Sequence, residues 1–382
     1  MKTYINNGTV LTPEQRIEGA TVIIENGKII EISSLLPSGQ EGNIQIDAEG
    51  SYVCPGFIDI HFHGALGKDT MDADEASLQL LSIYCADHGV TSFYPTTWSA
   101  SPEDILRAIE VVKINQKSLR GAQALGVHIE GPFIDLEFRG AQLQSMIRPP
   151  VKKEYENWIN SGVVKVITCA PELEGSEEFI KEAVQNKIRI SIGHSQAKYD
   201  QVKKAADIGA TQATHIFNGM LGLHHREPGT VGGILTDKRI YAQVICDGVH
   251  LHPAIVQLIV NAKTASKVIL ISDSIRGAGL PDGDYDHKGQ KFSVRGGVAR
   301  TPEGVLSGST LTLDSAVRNA LDFTESRLEE VISMVTSVPA EAMGILNAKG
   351  KIAQGYDADL VILNKDLHVE KTIVNGNVVF SR

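Results

Sequence analysis

The chain has 382 residues, 42% of them apolar and 21% charged, and its formal net charge is −10. That length holds one large α/β domain plus a smaller satellite, with apolar residues enough for a sizeable core. The acidic balance argues against nucleic-acid binding, which needs a basic face, although one or two local arginines can still hold a small anion. Cys54, Cys85, Cys169 and Cys246 lie far apart without a CxxC pair, as expected of a reduced cytoplasmic protein. The opening MKTYINNGTVLTPEQ lacks an apolar signal core, and no run is long enough to cross a bilayer. The expectation is a soluble protein with no membrane contact.

Residues 1–53 read as short strands, TYINNGTVLT and then GATVIIENGKIIEI, with a hairpin signal at Asn26-Gly27. The chain's end repeats the style in DADLVIL and TIVNGNVVF, with a second turn at Asn375-Gly376. Residues 1–53 and 350–382 are therefore expected to join in one small β-sandwich domain, leaving 54–349 as a catalytic domain. That middle alternates. Apolar, β-branched runs fall near 57–61, 90–94, 124–130, 163–169, 188–193, 211–216, 241–246 and 267–272, and helix-length amphipathic segments separate most of them. One such helix opens at Ser101-Pro102-Glu103-Asp104, where Ser caps, Pro suits the first turn and the acids favour the dipole. Another is expected from about Ser195 to Asp207, stopping at Gly209. Eight strands with helical crossovers predict an α/β fold, a (β/α)8 TIM-type barrel. A doubly wound open sheet would show a Gly-rich phosphate turn after its first strand, and none is present.

The stretch GFIDIHFHG ends the first run with His61 and His63, whose i, i+2 spacing in extended chain aims both imidazoles to one side. Glu130 ends the third run, His194 the fifth, His215 the sixth and Asp273 the eighth. Each has a bland account when taken singly: a hydrogen-bonded structural histidine, a helix-capping carboxylate, an aspartate closing a turn. All six, from five runs, fall at C-terminal strand ends, the face where barrel active sites assemble. Imidazole and carboxylate ligands that leave a position open for water suit catalytic Zn²⁺ or Fe²⁺, with Mn or Co as alternatives, at one or two ions per subunit. Glu130 could bridge two ions, with His194 and His215 on one and His61 and His63 on the other, and Asp273 acting as general base and then acid. His128 is expected to pack or hydrogen-bond behind the ligands, Asp59 to orient a ligand or be satisfied locally, and His88 to lie at the surface.

A second group suits substrate contacts: Asn218-Gly219, Arg226 in the loop LHHREPG, Asp247-Gly248-Val249-His250 after the seventh run, and Leu306-Ser307-Gly308-Ser309 ahead of a helix whose N-terminal amides can hold an anion or hydroxyls. A surface salt bridge for Arg226 and a capping role for His250 are equally good accounts at this level.

The motifs GFIDIHFHG, HIEGPF, IGHS, ATHIFNGM, ICDGVH, ISDS and LSGSTLTL, in that order, resemble the N-acetylglucosamine-6-phosphate deacetylases of the amidohydrolase superfamily, nearly end to end. The resemblance implies metal ligands at Glu130, His194 and His215 and a catalytic acid/base at Asp273. It places an amino-sugar phosphate against Ala141, Gln142, Asn218, Gly219, Arg226, His250 and the Leu306–Ser309 turn. It also implies a homodimer, with Arg226 reaching the phosphate across the subunit boundary. Some members lack the HxH pair and resemble one-metal enzymes; its presence here suits two. Some carry a His that polarises the acetyl carbonyl where this chain has Gln142, in RGAQLQ. The implied reaction is removal of the N-acetyl group from N-acetyl-D-glucosamine 6-phosphate. The rivals are the galactosamine epimer, a cyclic-amide hydrolase or deaminase on the same barrel, and a non-enzymatic barrel. Many cyclic-amide hydrolases carry a modified Lys ending the fourth strand, and here that run ends VITCAPE.

Overall fold

A computed structural model describes residues 1–12, 15–34, 42–287 and 290–382. Eight parallel strands follow one another around a barrel: β1 Phe57–Phe62, β2 Val90–Thr97, β3 Val127–Glu130, β4 Val164–Cys169, β5 Arg189–Ile192, β6 Ala210–Ala213, β7 Tyr241–Ile245 and β8 Val268–Ile271. Each pairs with the next, as in Ile129↔Ile167 and Val244↔Leu270. The circle closes where the Asp273 amide donates to the His61 carbonyl at 2.9 Å, beside a parallel bridge between Phe62 and Ser274. All eight sequence runs became barrel strands. Their apolar side chains form one continuous buried core with the surrounding helices. The barrel interior is polar by comparison, because His61, His128, Glu130, Thr168, Ser191, Gln212 and Gln243 are all buried there.

The helix Pro102–Asn115 starts as its cap predicts: the Ser101 hydroxyl accepts from the Asp104 amide at 3.2 Å. The helix expected from Ser195 begins only at Tyr199. Ser195 instead donates its hydroxyl to Glu172 at 2.7 Å and accepts from the Ala197 amide at 3.0 Å, which holds the chain in a loop behind His194.

The two chain ends meet in one eight-stranded sheet, running Asn377–Ser381, Val369–Val374, Leu360–Leu363, Tyr52–Pro55, Lys2–Leu11, Arg16–Glu25 and Lys28–Ser33, with Ile44–Asp47 also paired to Lys2–Leu11. It has its own apolar core, including Ile5, Val22, Ile24, Val53, Leu360 and Ile373. Both Asn-Gly turns are left-handed at both residues, as a tight hairpin requires: φ is 51° and 73° at Asn26-Gly27, and 49° and 78° at Asn375-Gly376. A three-stranded antiparallel unit, Gly283–His287, Gln290–Arg295 and Val298–Arg300, follows β8 and packs Phe292 and Val294 near Ile275 and Trp98. The four cysteines are free and buried. Among the described residues no helix is long and apolar enough to cross a membrane.

Candidate metal-centred active site

The six expected residues converge. His61 and His63 bring their Nε2 atoms within 3.1 Å, as i, i+2 positions on one extended segment do. Asp273 Oδ1 lies 3.2 Å from His61 Nε2 and 3.3 Å from His63 Nε2. Glu130 Oε1 lies 3.2 Å from His194 Nε2 and 3.0 Å from His215 Nε2, and the same carboxylate is 3.4 Å from each of His61 and His63. Two chelating groups result, His61–His63–Asp273 and Glu130–His194–His215, with Glu130 between them. Donors about 2.0–2.2 Å from one tetrahedral ion sit roughly 3.3–3.6 Å apart, so the spacings of 3.0–3.3 Å within each group lie at or a few tenths of an ångström inside those a shared cation sets.

Electrostatics agree with the geometry. Burial would raise the Glu130 carboxyl, yet His61 and the hydrogen bonds from His194, His215 and His63 hold it well below the usual range. Burial keeps His61 neutral, pulling its imidazole down to about 4, so a lone pair is free at neutral pH. Burial opposes charge on His63 too, but Asp273 and Glu130 outweigh it and push that group up to about 10. The carboxylates thus draw positive charge into a buried pocket, and a divalent cation answers that demand better than one proton.

Backbone conformation aims the ligands. His194, His215 and Asp273 each lie two residues past a strand end, at φ of 48°, 30° and 49°. Left-handed backbone costs a non-glycine residue about 1–3 kcal/mol and clusters where side-chain placement matters. Asp273 is held further by its amide on His61 and its carbonyl, which accepts from the Ser309 amide at 2.8 Å.

A cavity of about 270 Å³ opens over the cluster, lined by Glu130, His194, His215 and Asp273 and, around them, Trp98, Ala141, Gln142, Asn218, Gly219, His250, Leu306 and Gly308. The pattern described as the Amidohydrolase family matches residues 52–379. The chain belongs to that family. Within it, the chain is 37% identical to the N-acetylglucosamine-6-phosphate deacetylase of Bacillus subtilis (strain 168), over 98% of this chain and 96% of that one. It is 36% identical to the N-acetylgalactosamine-6-phosphate deacetylase of Escherichia coli O157:H7, over 97% of each. It superposes on the crystal structure of N-acetylglucosamine-6-phosphate deacetylase from Thermotoga maritima with a TM-score of 0.90 at 34% identity, over 99% of this chain and 100% of that one. Amidohydrolases are metal-dependent, and the two chelating groups provide for it.

This amidohydrolase uses its other expected residues unevenly. Asp247 does not line the cavity. Its carboxylate accepts from the Val249 and His250 amides, both at 2.8 Å, and from His250 Nδ1 at 2.6 Å, so it aims that histidine inward. Gly248 lies against Phe323, and Val249 is exposed. Ser307 lines a neighbouring cavity of about 340 Å³, and Ser309 is buried behind Asp273. The Leu306–Ser309 turn is not a helix N-terminus: the helix begins only at Leu313, after Thr312. Arg226 stands exposed, its guanidinium 2.8 Å from His225 Nε2, outside the lining of its own chain's cavity. Gln142 has a different use from carbonyl polarisation alone: Nε2 donates to Glu130 Oε2 at 2.6 Å and Oε1 accepts from the Ser99 amide at 2.7 Å, leaving one amide hydrogen uncommitted. His128 donates to the Ile60 carbonyl behind the ligands, and Asp59 is satisfied locally by the His61 and Ser272 amides. His88 is not a free surface residue; its Nδ1 is 3.2 Å from Asp314.

Two contributors escaped the sequence reading. Trp98 stacks on His63 with ring centroids 4.2 Å apart, donates Nε1–H to Asp69 at 3.1 Å and forms a wall of both cavities. Arg276, buried beside Asp72 and Asp69, lines the second cavity. The signal for Trp98 was its place, one residue past β2.

Proposed function

We propose that this protein hydrolyses the acetamido group of N-acetyl-D-glucosamine 6-phosphate, giving D-glucosamine 6-phosphate and acetate, within amino-sugar breakdown or recycling in the cytoplasm. The observation that carries this reading is the pair of adjacent chelating groups, with Glu130 lying between them, beneath a cavity of sugar size, in a chain 37% identical to such a deacetylase. Glu130, His194 and His215 are assigned one ion, and His61, His63 and Asp273 a second, with Zn or Fe preferred over Mn or Co. Ions held there supply Lewis acidity, polarising the amide carbonyl and making water acidic enough to attack near neutral pH.

The remaining work falls to side chains. Asp273, ionised because His61 and His63 outweigh its burial, accepts the proton of the attacking water and returns it to the departing nitrogen. That return matters because an amide anion is a very poor leaving group. Gln142 fixes Glu130 and offers its remaining N–H to the developing oxyanion. His250, Asn218 and Gly219, with Ala141 and the Leu306–Gly308 backbone, are assigned to the sugar. Arg226 of the partner subunit is assigned to the phosphate, in a homodimer whose catalytic unit spans 54–349 and whose small domain comprises 1–53 and 350–382.

Acetate release from N-acetylglucosamine 6-phosphate, measured with metal-replete and chelator-treated protein, tests the proposal. Turnover that disappears with chelator and returns with metal supports it; no acetate from replete protein refutes it. The galactosamine epimer is the second reading, favoured by the relative of that specificity at 36% identity, and paired rates on both phosphates decide between them. The cyclic-amide reading loses ground because β4 ends in Thr168 and Cys169, with no lysine to bridge ions.

A further inference from the structure

All four histidines of the cluster turn Nε2 toward the carboxylates, so each needs its proton on Nδ1 and an acceptor to keep it there. Three find a main-chain carbonyl: His63 at Thr96 (3.2 Å), His194 at Phe138 (2.8 Å) and His215 at Asn218 (3.1 Å). A carbonyl only accepts, so those tautomers are fixed by the backbone. His61 differs. Its Nδ1 faces a side chain, Oε1 of Gln243, at 3.5 Å. A carboxamide presents oxygen or NH₂ to a neighbour depending on how it is turned, so Gln243 serves His61 only if its orientation is imposed.

The barrel interior imposes it. His128 Nδ1 lies 2.9 Å from the Ile60 carbonyl and must donate there, which leaves His128 Nε2 as an acceptor. Thr168 Oγ1, 2.7 Å away, therefore donates to it. Each hydroxyl has one hydrogen, so Thr168 must accept from Thr214 at 2.7 Å, and Thr214 from Ser191 at 2.6 Å. Ser191, its hydrogen used, accepts from Gln243 Nε2 at 3.4 Å, and Gln212 Oε1 takes the other amide hydrogen at 3.0 Å. The NH₂ is thereby committed and Oε1 is left facing His61. The direction set at the Ile60 carbonyl passes around the barrel to the histidine next in sequence. Every side chain in this circuit is fully buried, so water does not compete for it.

We propose that Gln243 is a positioning residue for the metal centre: oriented by the Ser191–Thr214–Thr168–His128 relay, it holds His61 in the Nδ1–H tautomer and keeps Nε2 bare for a cation. This rests on the assignment of a second ion to His61, His63 and Asp273. The test counts metal ions per chain by elemental analysis along a graded chelator series, for the unsubstituted protein, Gln243→Met and Gln243→Glu. Methionine keeps the length and loses the oxygen; glutamate, as the neutral acid that burial favours, keeps an acceptor oxygen for His61 and one O–H for Gln212 Oε1. Gln243→Met is expected to release one ion at about 10- to 100-fold less chelator while retaining the other, and Gln243→Glu to hold both. Equal retention in Gln243→Met overturns the proposal, as does loss from both variants, which would mark a packing role. If Gln243→Met does not fold, ¹⁵N-histidine NMR of the unsubstituted, chelator-treated protein decides: Nδ1–H on His61 supports the proposal and Nε2–H overturns it. An unsubstituted protein that takes up a single ion refutes the two-ion assignment, and the tautomer measurement still judges Gln243.

Discussion

Replacing Gln142 by leucine removes a clamp without touching a chelating atom. The amide donates to Glu130 Oε2 at 2.6 Å and accepts from the Ser99 amide at 2.7 Å, and both ends are buried. A hydrogen bond to a charged group contributes about 1.5–3 kcal/mol, equivalent to roughly a 10- to 150-fold change in an equilibrium constant. Loss of an outer hydrogen-bond partner of a metal ligand independently suggests about 10- to 100-fold in metal affinity. The two figures agree, so Gln142→Leu is expected to weaken the ion at Glu130, His194 and His215 by one to two orders of magnitude. Competition against a chromogenic chelator reads this directly. The stranded Ser99 amide adds a stability cost of about 1–3 kcal/mol, visible in thermal unfolding of the metal-free protein. A competition curve coincident with that of the unsubstituted protein would refute the clamp.

Asp273→Asn is expected to keep its substrate affinity and lose about 10²–10⁴-fold in kcat; near-normal turnover would remove it from proton transfer. Arg226→Ala should raise KM for the phosphorylated sugar with little change in kcat, and mixing it with Asp273→Asn should restore part of the activity through hybrid dimers. An unchanged KM would place the phosphate elsewhere. Asp314 gives a pH prediction: burial would raise its carboxyl, but His88 and Arg318 hold it far below the usual range. A depressed folded-state pKa stabilises fully above the unfolded value of about 3.9, and that stabilisation fades as pH falls toward the folded value. Asp314→Asn should therefore lower Tm at pH 7, with the gap to the unsubstituted protein narrowing below about pH 4. A gap independent of pH would refute the charge argument.

The chemistry was legible where it coincided with backbone period. His61 and His63 share a face because strands alternate, and Glu130, His194, His215 and Asp273 stand out as polar residues closing apolar runs. The substrate assignments were less secure, because they lie in loops whose side-chain direction no period sets. Asp247 turned out to aim His250, Ser309 to brace Asp273, and the Leu306–Ser309 turn to stand clear of the next helix. Gln142 and Ser195 follow the same rule, since their partners Glu130 and Glu172 are 12 and 23 positions away in the chain. Gln243 was hidden for the opposite reason. It lies mid-strand in YAQVI, where a lone polar residue reads as an interruption of the core rather than as a contact across it.

The left-handed turns at His194, His215 and Asp273 bear on how such a centre endures mutation. Few side chains tolerate that conformation, and after glycine the most tolerant are asparagine, aspartate and histidine. β-Branched residues are refused on steric grounds alone, before any question of catalysis arises. Drift at these three sites is therefore channelled toward groups that still coordinate or still carry protons. The main chain thus filters for chemistry, and a descendant that changed its ion or its substrate would draw replacements from a pool already suited to the task.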